Sequence, residues 1–145
     1  LICDRLPSHE LCRLHVHVGR EIRRQGELLL STRDLRLVRR IIRDHRFRNS
    51  TPSNTLTMWK GVVHGEEKYL QPYEHTARIA IDSLHCYEPC VFRAPFMELL
   101  GQVSPADPNY PLMERVGRAL SLFEPLPMEK APEHSLLREF IGLQA

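Results

Sequence analysis

Apolar and polar residues first alternate along Leu11–Val18, where Leu14, Val16 and Val18 fall on one side and Arg13, His15 and His17 on the other. A period of two over strand length predicts a β-strand. The period changes at Ser31-Thr32-Arg33-Asp34, a capping box whose Asp34 also places a negative charge in the first helical turn. A helix is predicted from there, with Leu35, Val38, Ile41/Ile42 and His45 recurring at three- to four-residue spacing as its buried stripe. Arg33, Arg36, Arg40 and Arg43 form a second stripe on the same helix.

The polar run Asn49–Asn54 breaks that helix, and Thr55–Trp59 begins a second, short one, so residues 34–62 read as helix, turn, helix. The apolar runs Ala77–Ile81 and Cys90–Phe92, separated by Tyr87-Glu88-Pro89, are predicted as strands in preference to helices. Pro105, Pro108 and Pro111 mark a loop before a helical stripe at Leu112, Val116, Leu120 and Phe123. A turn at Pro125-Leu126-Pro127 and a last helix over Ser135–Ile141 follow. No repeat, heptad run or low-complexity tract is present.

Composition sharpens this picture at one place. A chain of 145 residues with 42% hydrophobic content supports one modest core. Its net charge of +2 hides an asymmetry: residues 20–48 carry ten arginines against Glu21, Glu27, Asp34 and Asp44, a local +6 that leaves −4 for the remainder. Only Lys60, Lys68 and Lys130 are lysines, and arginine is the side chain whose planar fork grips phosphate oxygens bidentately. Like charges at i,i+4 destabilise a helix by a few tenths of a kcal/mol per pair, so the arginine stripe calls for an anion to face it. A nucleotide and a nucleic acid are the two candidates, and the stretch holds one aromatic, Phe47, where single-strand binding interleaves several.

Other chemistry is sparse. Cys12, His15 and His17 could approach one another, but nothing supplies a fourth zinc ligand, and the histidines read as a half-exposed strand face. Cys86 and Cys90 read as buried thiols near the sheet. Glu66-Glu67-Lys68 reads as a solvated turn in preference to a clasp for the arginines, and Trp59 as a core anchor, with stacking on a base as its alternative. The four cysteines, Cys3 included, have no disulfide-framework spacing, and no signal peptide or membrane span is visible, so a reducing cytoplasm is expected. A start at Leu1-Ile2-Cys3 without methionine suggests a fragment or excised domain.

The run Ser31-Thr32-Arg33-Asp34-Leu35-Arg36-Leu37-Val38-Arg39-Arg40-Ile41-Ile42-Arg43-Asp44, with Phe47-Arg48 and Thr55-Leu56-Thr57-Met58-Trp59, resembles the lid region of the uridine kinase/phosphoribulokinase family. Gly65–Tyr69, Pro72-Tyr73, Tyr87-Glu88 and Ser135–Gly142 resemble one bacterial branch of it, in which the kinase follows a threonyl-tRNA-synthetase-like segment. The resemblance runs in order from about residue 31 to the end. It implies an α/β fold, the C-terminal part of a three-layer P-loop kinase with a mostly parallel sheet, a lid over about 34–62 and a helical extension over about 105–145.

The same resemblance implies ATP-dependent phosphorylation of a nucleoside, with Arg43 and Arg48 approaching the transferred phosphate, Arg40 and Arg36 binding substrate and phosphates, and Asp44 orienting Arg43. ATP and Mg²⁺ are the implied cofactors. The implied partners are the nucleotide, the nucleoside and the upstream part of the kinase, with a homo-oligomer also open. Two departures limit the implication. The family's Ala-Asp reads Ala77-Arg78, and Gly19–Gly26 replaces its usual polar segment. No Gly-x-x-x-x-Gly-Lys-Ser/Thr loop occurs, so the phosphate loop and the Mg²⁺ ligands are expected outside this chain, which alone is expected to be inactive. A degenerate kinase-like interaction domain and an arginine-rich nucleic-acid module are the alternatives.

Overall fold

The computed structural model describes residues 11–142. Strands β1 (Leu14–His17), β2 (Ile22–Arg24) and β3 (Glu27–Leu30) lead into helix α1 (Thr32–Arg48) and helix α2 (Pro52–Tyr69). A 3₁₀ turn at Gln71–Thr76, strand β4 (Ile79–Asp82), and helices α3 (Glu88–Leu100), α4 (Tyr110–Leu120) and α5 (Leu137–Ile141) complete the order. β1 and β4 pair in parallel, with Leu14 opposite Ile79 and His17 opposite Asp82. β2 and β3 form an antiparallel hairpin closed by Gln25 and Gly26, both at positive φ as a tight hairpin turn requires.

The fold is thus α/β, with helix predominating, one small parallel sheet and one antiparallel pair. Cys3 and the last three residues of the expected C-terminal extension lie outside the described residues. Among the described residues no helix is long and apolar enough to cross a membrane.

Helix α1 is the centre of the core. Its capping box forms as the sequence dictates: the Ser31 hydroxyl accepts from the Asp34 N–H, and the Asp34 carboxylate accepts from the Ser31 N–H. Leu35, Val38, Ile41 and Ile42 are buried as expected and Leu37 joins them, while His45 is only partly covered. Against this stripe pack α2, α3 and α5. Gly117 permits a close crossing of α4 on α3, since a Cβ there would come within 2.8 Å of the Leu100 side chain.

Asp34 also ties α4 to the start of α1, accepting from Arg115 at 2.5 and 3.1 Å. Burial pulls its carboxyl upward, but the hydrogen bonds from Arg115 and Ser31 outweigh that and hold it below its ordinary value. A carboxyl depressed by folding contributes stability that is complete above its unfolded value of about 3.9 and is lost as pH falls through the folded value. The wild-type protein is expected to lose more stability than Asp34→Asn between about pH 6 and about pH 3, read by urea unfolding. Equal losses would mean that the Arg115 pairing does not favour the charged form.

Several expectations are corrected. Cys90–Phe92 lies in α3, not in a strand, because Pro89 starts a helix and Val91, Phe92, Phe96 and Leu99 then bury at helical spacing. The second helix of the expected lid is 18 residues long, with Thr51 as N-cap and Pro52 in its first turn; the polar run ending α1 is also the start signal of α2. Glu66-Glu67-Lys68 therefore belongs to the end of a helix and not to a turn. Cys86 is exposed and Cys90 only partly buried. β1 presents its apolar residues outward, with Leu14 56% and Val16 61% exposed, while His15 and His17 are more covered.

Candidate functional site

The arginine face of α1 divides by partner. Arg33 donates to Glu67, and Arg36 donates to both oxygens of Glu66, at 2.5 Å to Oε2. These two carboxylates, one turn from the end of α2, are a clasp for α1, contrary to the solvated turn expected from their sequence. Arg39 turns inward and meets the fully buried Glu88 through Nε–Oε1 at 2.6 Å and Nη2–Oε2 at 2.7 Å. It also donates to the Ser83 carbonyl at 2.8 Å and the Ser83 hydroxyl at 3.0 Å.

Arg40, Arg43 and Arg48 share a different anion. Asp44, with 6% of its side chain exposed, lies 3.3 Å from Arg40 Nε, 3.5 Å from Arg43 Nε and 3.2 Å from Arg48 Nη1. Charge is close but the angles are poor: Arg40 Nε, Arg43 Nε and Asp44 Oδ1 are buried and make no hydrogen bond. Three guanidiniums around one carboxylate leave a local surplus of positive charge, and their donors are held in place without being consumed. Guanidiniums in this arrangement have further N–H groups to donate to an anion with several oxygens.

Arg36, Arg40 and Arg43 line one cavity of about 300 Å³, whose other walls include His17, Trp59, Val62, Ser83 and Phe140. Arg48 does not line it and joins the group through Asp44. Glu139, exposed, also borders the cavity. His17 ends β1 and Ser83 follows β4, so the cavity lies at the carboxyl ends of both parallel strands, where open α/β sheets take their ligands. The two strand ends are held together there by the Ser83 hydroxyl and N–H, which donate to the His17 carbonyl at 2.9 and 2.8 Å.

Trp59 is 7% exposed and belongs to the hydrophobic core while one side faces the cavity. Among the described residues, no group of three His, Cys, Asp or Glu side chains is arranged to hold a metal ion, so the pairing of Cys12 with His15 and His17 forms no such centre. Sequence reading missed Arg39, Ser83, Glu88 and Phe140. Arg39 was visible as half of an Arg-Arg pair, but nothing in the local sequence signals a partner 49 residues away. Comparison with protein-family models, curated proteins and solved structures finds no match to this chain.

Proposed function

We propose that this chain is the lid and C-terminal section of an ATP-dependent nucleoside kinase, similar to the uridine kinase/phosphoribulokinase family. The observation that carries the reading is the cluster of Arg40, Arg43 and Arg48 around Asp44, two of whose guanidiniums face a cavity at the carboxyl ends of β1 and β4. A phosphoryl group in transfer spreads its charge over three equatorial oxygens, and catalysis consists largely of positioning and stabilising that charge. Arg43 and Arg48 supply cationic donors for those oxygens, Arg40 holds the neighbouring phosphate, and Asp44 positions all three. Arg36 contributes after exchanging its present carboxylate partner.

The surplus positive charge of Arg40, Arg43 and Arg48 around Asp44 suits the phosphates of ATP; Mg²⁺ has no ligand cluster among the described residues, and the sequence has no Gly-Lys for a phosphate loop. The reading therefore assigns the phosphate loop, the general base and the Mg²⁺ ligands to a segment upstream of Leu1. A surface suited to receive it is present. Leu14, Val16, Ile79 and Ile81, 44–61% exposed, form an uncovered apolar face on a parallel sheet, and parallel sheets are ordinarily covered on both faces. A nucleic-acid module is the weaker reading, because Arg33, Arg36 and Arg39 are matched by Glu67, Glu66 and Glu88, and Arg40 and Arg43 border a cavity instead of a continuous stripe. The whole protein is expected to consume ATP when given a nucleoside acceptor. ATP turnover that no nucleoside stimulates would overturn the proposal and favour a degenerate kinase-like interaction domain.

A further inference from the structure

Helix α2 changes character at its midpoint. Pro52, Thr55, Leu56 and Trp59 are buried, and after Trp59 no residue of the helix is. The distal half contains Gly61 and Gly65, and a Cβ at either would meet nothing within 4 Å. No close approach requires these glycines, so their effect is to weaken the helix relative to alanine. From Lys60 to Tyr87 no residue is buried, and segments with so few buried contacts are the ones that open locally while the rest of a fold stays closed.

What ties this weak segment to α1 is mainly polar. Val62 and Val63 pack partly against the core, and the remaining ties are the ion pairs of Glu66 with Arg36 and Glu67 with Arg33. Glu66 is the more covered carboxylate, with 13% of its side chain exposed. Arg36 stands between two cavities: the arginine-lined one described above, and a second of about 360 Å³ lined by His15, Thr32, Arg33, Glu66 and Glu74. The Glu66 carboxylate therefore occupies, from the second cavity, a guanidinium that also faces the first.

We propose that residues 60–69 form a latch in which Glu66 is an internal anion, competing with an incoming polyphosphate for Arg36. When a polyanion enters the arginine-lined cavity, Arg36 exchanges Glu66 for phosphate oxygens, and the distal half of α2 loses its principal tie to α1. The inference rests on the proposed phosphate site and adds to it a reason for Arg36 to be neutralised at rest. An arginine stripe left without its own carboxylates would repel itself; one closed permanently by them would bind nothing.

The test uses the whole protein with inorganic tripolyphosphate as probe, titrated calorimetrically, together with hydrogen exchange. Glu66→Gln keeps the size of the side chain and removes its charge, and is expected to bind the probe about five- to tenfold more tightly than wild type. Amides of residues 60–69 are expected to exchange faster than those of α1, and faster still in the Glu66→Gln/Glu67→Gln protein. Probe binding that Arg43→Ala abolishes but Glu66→Gln leaves unchanged or weakens overturns the latch and leaves the phosphate site standing. Equal protection of residues 60–69 and α1 also overturns the latch. Failure of both wild type and Glu66→Gln to bind overturns the site and the latch together.

Discussion

Glu88→Ala is expected to remove about 3–5 kcal/mol of folding stability, the cost of leaving one member of a buried ion pair without its partner. The Glu88 side chain is 0% exposed and that of Arg39 8% exposed, so water does not take over from the lost carboxylate. Arg39 is fixed from several sides: two oxygens of Glu88, the hydroxyl and carbonyl of Ser83, and the Phe140 ring with its centroid 5.2 Å from the guanidinium carbon. These contacts join α1 to α3, to the segment after β4 and to α5. A charge left there cannot lose its proton, because a guanidinium stays protonated at any pH the protein survives.

The measurement is urea unfolding, in which the midpoint should fall while the slope stays near wild type. A second protein separates the stranded charge from simple loss of packing. Arg39→Met/Glu88→Leu removes both charges and keeps most of the volume, and is expected to recover most of the lost stability, since apolar replacements of buried pairs are often neutral or stabilising. If Glu88→Ala unfolds within about 1 kcal/mol of wild type, the pair is not buried as the structure places it.

The contrast between this pair and the exposed arginines shows where sequence reading succeeds and where it stops. The start of α1 is legible because capping is local: Ser31 and Asp34 are three residues apart and satisfy each other's backbone groups. The arginine stripe is legible because helical periodicity is local too. Its counter-charges are not, since Glu66, Glu67 and Glu88 lie 30 to 49 residues downstream on other helices. Asp44 could be read as an ion-pair partner of Arg43, and the structure adds Arg40 and Arg48, each four residues from Asp44 and so on its side of the helix.

The misread strand at Cys90–Phe92 has a comparable cause. Three apolar residues do not distinguish a strand from a turn of buried helix, and the deciding residues, Pro89 before them and Phe96 and Leu99 after, lay outside the run. The outward apolar face of β1 is a different matter. Alternation gives the two faces of a strand but not which one is covered, and here His15 and His17 are the more covered residues of β1.

Arg43→Ala is expected to lower kcat for nucleoside phosphorylation by about 10²–10³-fold, the range found when one preorganised donor to a developing anion is removed. The effect should fall on kcat more than on KM for ATP, because in the proposed reaction the charge assigned to Arg43 is spread over the equatorial oxygens only during transfer. Loss of folding does not account for such a drop. The Arg43 side chain is 29% exposed, its Nε makes no hydrogen bond, and Asp44 keeps Arg40 and Arg48 beside it when Arg43 is removed. Arg43→Lys is expected to restore little of the rate, since an ammonium offers a point charge in place of a planar fork of several donors. A protein with Arg43→Ala that phosphorylates nucleosides at the wild-type rate would remove Arg43 from the reaction. The arginine cluster would then be an ion-pair network that holds the C-terminal end of α1, with Asp44 as its centre.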